Sequence, residues 1–210
     1  MKTKIKQELA EFKEFKKLTP FTQKVIQDEG SDFLCDGFSL FDETGKLIPE
    51  TDAWLNVGYN IKSSHSRSLS NLFPYQFEFK GFQLQSLEAF FQSLKFKETN
   101  LQNYVFNYSG IDAYHIQIAT PYNWKETGIL YWQGEAIPRL SLVYEDLVDE
   151  AYISASQNPL YRNILKKTNK YILHSIGKEN PMETVFTRFE FERELNLLSL
   201  FLKKKDALFD

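Results

Sequence analysis

Ser86-Leu87-Glu88-Ala89-Phe90-Phe91-Gln92-Ser93-Leu94-Lys95-Phe96 is the stretch whose spacing says most about this protein. Leu87, Phe90, Phe91 and Leu94 fall at i, i+3, i+4 and i+7, the apolar stripe of a helix docked on a core. Ser86 in front of them offers a hydroxyl to cap the first turn. Glu88, Gln92 and Lys95 each follow a stripe residue by one position, so a polar stripe runs beside the apolar one. A margin of this kind can hold a polar pocket, and it is equally where surface helices place their i,i+4 pairs. Periodicity leaves both readings open.

Working outward, the residues from Pro74 to Phe82 alternate ring and polar side chains before Gly81, predicting a short strand and turn that feed the helix. Residues 61–70, IKSSHSRSLS, are polar and serine-rich. From Gly30 to Asn60, Gly, Asp, Thr and Pro punctuate short apolar runs such as Phe38-Ser39-Leu40-Phe41 and Trp54-Leu55-Asn56-Val57, a pattern of strands and loops. Ile5, Leu9, Phe12 and Phe15 predict a solvent-facing helix over 3–17, ended by Pro20, with a shorter helix restarting to Gln27. Downstream, helix-like and loop-like pieces alternate between 100 and 140, broken by Pro121 and Pro138. Apolar spacing then predicts helices over 140–156, 159–168 and 189–204, with Lys203 to Lys205 complementing the dipole at the last helix's end. The class expected is α+β, mostly α: a compact helical domain with a few short strands. It is expected to occupy residues 61–202, behind an accessory N-terminal region of residues 1–60 and ahead of a tail at 203–210.

Composition narrows the function classes. The chain has 210 residues, 42% hydrophobic and 25% charged, so it should fold, and as one domain with an appended segment. A formal charge of -3 provides no global field toward nucleic acid or an anionic membrane. Cys35 is the single cysteine, excluding an internal disulfide and a cysteine-rich zinc site. Neither a signal peptide nor a spanning segment is visible, so a cytoplasmic protein without membrane contact is expected. Rings are abundant, with 19 Phe, 11 Tyr and 3 Trp, enough to fill a core and still leave flat faces for a cleft.

Several chemistries are poorly served. His65, His115 and His174 are isolated from one another, so no metal and no cofactor are expected. Glycine spacing matches neither a phosphate loop nor a dinucleotide fingerprint, because Gly177-Lys178 has Ile172 where the first glycine belongs. Ser63, Ser64 and His65 are consecutive, and adjacent residues seldom face each other as nucleophile and base. Carboxylates remain, too many for spacing to choose among.

Longer strings narrow the field. Leu69-Ser70-Asn71-Leu72-Phe73-Pro74, then Phe79-Lys80-Gly81, then the stretch from Ser86 to Phe96, resembles the opening signature of the NADAR family. Leu130-Tyr131-Trp132-Gln133-Gly134, Gln157-Asn158-Pro159, Leu173-His174-Ser175-Ile176-Gly177-Lys178, Glu183-Thr184-Val185-Phe186-Thr187 and Glu190-Phe191 resemble one branch of it. The resemblance spans about residues 61–202.

What the resemblance implies is a metal-independent N-glycosidase, a hydrolase of N-glycosyl bonds. Its substrate would be an ADP-ribosylated guanine in nucleic acid or a phosphoribosylated intermediate of riboflavin biosynthesis. Glu88 matches the family's catalytic glutamate. Ser70, Asn71, Gln92, Lys95, Trp132, Arg139 and His174 become candidates for substrate contacts: Gln92 to orient water or ribose, Lys95 and Arg139 to attract phosphate, and Trp132 to stack on a base. The alternatives are a serine or Asx turn for Ser70 and Asn71, core packing for Trp132 and a structural role for His174. Family members carry an acidic residue in a glycine-rich loop late in the chain, where this sequence has Lys178-Glu179-Asn180-Pro181-Met182-Glu183, leaving Glu183 as a placeholder. The competing functional class is a module that binds ADP-ribose or a nucleotide without cleaving it.

Overall fold

The computed structural model describes residues 2–19, 22–26, 30–34, 54–116 and 123–207. In chain order these form α1 (Lys2–Leu18), β1 (Thr22–Ile26), β2 (Gly30–Leu34), β3 (Trp54–Asn56), α2 (Ser64–Ser68), β4 (Phe77–Phe79) and β5 (Phe82–Leu84). Then follow α3 (Leu87–Ser93), α4 (Thr99–Phe106), α5 (Gly110–Ile116), α6 (Trp124–Thr127), β6 (Ile129–Trp132), β7 (Glu135–Pro138), α7 (Leu142–Ala155), α8 (Pro159–Lys167), β8 (Tyr171–Leu173) and α9 (Arg188–Ala207). The architecture is α+β and mostly α. Its strands pair only two by two among the described residues, so helices build the core.

Helix α7 lies at the centre, with Tyr144, Leu147, Val148, Ala151, Tyr152, Ile153 and Ala155 all buried. It packs against α1, α3, α9, β4 and β7. The ends of these helices follow local chemistry. Ser86 caps α3 by accepting from the Ala89 N–H at 3.1 Å, and Ser141 caps α7 from Tyr144 at 3.2 Å. Asn158 caps α8, whose first residue is Pro159, where a missing N–H costs nothing.

The two hairpins β4–β5 and β6–β7 turn on Lys80-Gly81 and Gln133-Gly134. All four turn residues have positive φ, the primed geometry whose twist matches the flanking strands. Behind the second hairpin, Gln102 is fully buried and acts as a polar hub. Its Nε2 donates to Phe96 O at 2.6 Å and to Tyr131 O at 2.8 Å, while its Oε1 accepts from the Gln133 N–H at 2.7 Å. Gln102→Leu keeps the bulk and orphans all three backbone groups, so a loss of about 2–4 kcal/mol is expected in denaturant unfolding. An unchanged midpoint would show that these groups find other partners.

One expected element is corrected. The restart after Pro20 is not a helix: Thr22–Ile26 pairs antiparallel with Gly30–Leu34. β-Branched Thr22, Val25 and Ile26 suit a strand. β3 lies before residue 60 and pairs in parallel with β8, Trp54 opposite Tyr171. Helix α1 likewise belongs to the main core through fully buried Phe12. Fully buried Glu8 pairs with Arg162 at 2.9 Å, and Lys16 pairs with Asp149 at 2.5 Å and Glu194 at 2.8 Å. At the other end of the chain, α9 runs from Arg188 to Ala207, three residues beyond the helix expected over 189–204. The run Phe38 to Phe41 lies outside the described residues, as does Cys35. No described helix is long and apolar enough to cross a membrane.

Candidate functional site

Helix α3 is wedged between two apolar clusters. Leu87, Phe90, Phe91 and Leu94 face the main core, whereas Ala89 and the following Phe96 pack with Val105 and Ala113 of α4 and α5. A helix so embraced keeps one narrow face, and that face carries Glu88 and Gln92, with Lys95 beside them in the turn that follows the helix. Gln92 is buried, and Glu88 and Lys95 are half-buried. The side chains form a relay: Gln92 Nε2 donates to Glu88 Oε1 at 2.5 Å, and Lys95 Nζ donates to Gln92 Oε1 at 2.6 Å.

Low-dielectric surroundings govern both charged ends. Burial pushes the Glu88 carboxyl above its ordinary value, opposed by the Gln92 hydrogen bond and the Lys95 charge. Burial also depresses the Lys95 ammonium, to about 8; Glu88 counters this, and the positive charges of Lys125 and Lys178 reinforce it. Two further lysines therefore stand within electrostatic reach of Lys95 across the fold.

The site's walls are sewn together by backbone contacts. Glu88 N donates to Asn71 O at 2.9 Å, and the Asn71 side chain accepts from the Tyr152 hydroxyl at 2.8 Å. Ser70 Oγ accepts from Leu72 N at 3.3 Å, the serine-turn geometry. Ser70 and Asn71 are thus brought to the start of α3. At its other end, Tyr131 N donates to Leu94 O at 2.8 Å, anchoring β6 and the α6 that precedes it. On a third side, the Phe186 ring stacks on Phe91 with centroids 4.5 Å apart.

Other expected residues are committed elsewhere. Trp132 is 9% exposed and packed by the rings of Phe79, Phe82, Phe90 and Phe106. Its stacking role gives way to the core alternative, because those rings occupy the surroundings a base would need. Arg139 is 2% exposed, and its NH1 and NH2 grip Glu190 at 2.9 and 2.5 Å over the Tyr144 ring. A charge so neutralised is not available as a phosphate clamp.

His174 donates Nδ1–H to Val57 O at 2.7 Å, the only direction a carbonyl permits, and its ring packs on Phe191. Burial lowers its pKa, with the Val57 bond opposing and Arg188 assisting, which keeps the ring neutral. Glu183 is exposed and lies 3.9 Å from Lys178. The described residues contain no group of side chains suited to hold a metal ion.

The sequence gives no sign of Lys125, and Lys178 and Phe186 appear in it only within longer motifs. Lys125 follows buried Trp124 in a single-turn helix, a position without a periodic signal. The stack of Phe186 on Phe91 joins segments far apart in sequence.

The family model of bacteriophage protein GP30.3 matches residues 63–199. The chain belongs to the bacteriophage GP30.3 protein family. A relative in Enterobacteria phage T4, the "Uncharacterized 17.1 kDa protein in Gp30-rIII intergenic region", is 34% identical over 137 residues, 63% of this chain and 89% of the relative. A more distant similarity is to the NMR structure of the Escherichia coli protein YbiA, with 15% identity and a TM-score of 0.45 over 75% of this chain and 86% of that one. The stretch shared with the GP30.3 family holds α3 with Glu88 and Gln92, together with Lys95, Lys125 and Lys178, and leaves α1 outside.

Proposed function

We propose that this protein is an N-glycosidase that hydrolyses the bond between a ribose C1' and a base nitrogen, in an ADP-ribosylated guanine or a phosphoribosylated riboflavin-pathway intermediate. The single observation that carries the reading is the Glu88 carboxyl, half-buried on the one polar face of α3 and held by Gln92. The resemblance of residues 61–202 to the NADAR family supports it independently. Chemically, the C1'–N bond breaks with its electron pair leaving on nitrogen, and positive charge develops on the ribose. A Glu88 carboxylate beside C1' stabilises that charge and takes a proton from the attacking water, whose oxygen bonds to C1'. The departing nitrogen gains its proton from solvent.

The test is release of free base from an ADP-ribosylated oligonucleotide and from an aminopyrimidine ribose phosphate. A protein that saturates with ADP-ribose and liberates no base is the competing binding module. The pH profile adds a sharper expectation. Raising pH ionises Glu88 and so increases the rate, along a limb displaced above ordinary carboxylate values. Raising it further, past about 8, discharges Lys95 and lowers kcat/KM. A rate that stays level from pH 7 to 10 would remove Lys95 from the reaction.

A further inference from the structure

We propose that the cavity between α1, α7 and α9 is a second ligand site, in which Arg193 receives the carboxylate of a small organic acid with an apolar body. The site goes beyond the N-ribosyl chemistry and shares no residue with the polar face of α3. Helix periodicity builds it. Leu142 and Asp149 stand at i and i+7 on one face of α7, and Arg193 and Leu197 at i and i+4 on one face of α9. Lys16 faces them from α1. The three helices pack pairwise on one another, so these faces converge on a cavity of about 480 Å³, the size of an ordinary small-molecule site. The α1 side of the cavity lies outside the residues matched by the family model, so the shared stretch alone does not close it.

One lining cation stands apart from the others. Lys13 is answered by Asp146 at 2.5 Å, Lys17 by Glu14 at 2.7 Å, and Lys16 by Asp149 and Glu194 at 2.5 and 2.8 Å. No hydrogen bond or ion pair holds the half-buried Arg193 guanidinium among the described residues, and its Nε is buried without a partner. Asp149 feels that charge only at longer range, its carboxylate being taken by Lys16. A buried N–H without an acceptor costs free energy, which an anion entering the cavity recovers. The planar fork of a guanidinium matches a carboxylate. Glu145, Asp146 and Asp149 make the α7 wall negative, which admits a monoanion and disfavours a phosphate dianion. Leu197, and Leu142 at 78% exposure, offer apolar surface for the rest of the acid to cover.

Calorimetric titration of the full chain tests this with isocaproate, which has both the charge and the apolar body, isohexanol, which lacks the charge, and isoamyl phosphate, which carries a dianion. The wild type is expected to bind isocaproate with a dissociation constant of about 1 mM or tighter, and the other two at least about tenfold more weakly. Arg193→Gln should weaken isocaproate by about tenfold or more with the thermal midpoint held, since no bond within the protein goes with the arginine. Leu142→Gln, at an exposed position where the fold is not at stake, should weaken it by about threefold or more through lost apolar contact. Isocaproate that fails to saturate the wild type overturns the site, and so does equal binding of the alcohol. Tighter binding of the phosphate overturns the carboxylate class. Arg193→Gln that stays folded and binds like the wild type overturns the anchor. Should that variant lose stability, unchanged affinity in Leu142→Gln overturns the site by itself.

Discussion

Glu88→Gln is expected to lower kcat by about a hundredfold or more, the scale of a positioned general base, while the protein stays folded. The substitution keeps the shape. Gln92 Nε2 can still donate to the oxygen at position 88, and the backbone bond from residue 88 to Asn71 O is untouched. Stability should barely move, because a carboxyl whose pKa is raised by burial adds little by ionising. Losing its charge near the first turn of α3 costs at most about 1 kcal/mol. Binding supplies the discriminating readout. If the carboxylate acts in the chemistry and does not hold the ligand, ADP-ribose should bind the variant as tightly as wild type, or more so, since a nearby negative charge is gone. Loss of binding together with turnover would mark Glu88 as part of the scaffold. Undiminished turnover at unchanged stability would remove it from the chemistry.

The legibility of this fold divides along physical lines. α3, α7 and α8 could be read because a 3.6-residue apolar period is a local signal, reinforced at α3 by the capping Ser86. The polar stripe was legible for the same reason. The run at Trp54 read as strand-like, but its pairing was not legible, since a parallel pair of three-residue strands joins Trp54 to Tyr171 without any turn to announce it. The helix expected after Pro20 failed where β-branched residues met a nearby partner strand. Trp132 shows a different limit: residue type does not tell a ring that fills a core from one that receives a base, and only its neighbours decide. Lys125 and Lys178 belong with that limit, as electrostatic neighbours of Lys95 that no spacing rule connects.

Arg139 is the other position where a large effect is expected, and here the readout is stability. Its side chain is 1% exposed, and both outer nitrogens are on the Glu190 carboxylate, with Nε donating to Thr184 O at 3.3 Å. The Tyr144 hydroxyl donates to Val185 O next to it, and Glu190 also accepts from the Thr187 N–H at 2.7 Å and hydroxyl at 2.8 Å. These bonds fasten the segment that carries Phe186 onto Phe91 and so build one wall of the Glu88 site. Glu190→Gln removes the counter-charge from a buried guanidinium and should cost about 3–5 kcal/mol, seen as a thermal midpoint lower by roughly 6–20 °C. Arg139→Met should cost somewhat less, because the Glu190 carboxylate is 21% exposed and keeps its bonds to Thr187. In the double variant neither charge is stranded. Its loss should therefore fall well short of the sum of the two, a coupling of about 1–3 kcal/mol that a double-mutant cycle reads directly. Additive losses would show that the pair does not act as a unit. A small loss from Glu190→Gln alone would mean that the buried guanidinium is held by Thr184 and the Tyr144 ring instead.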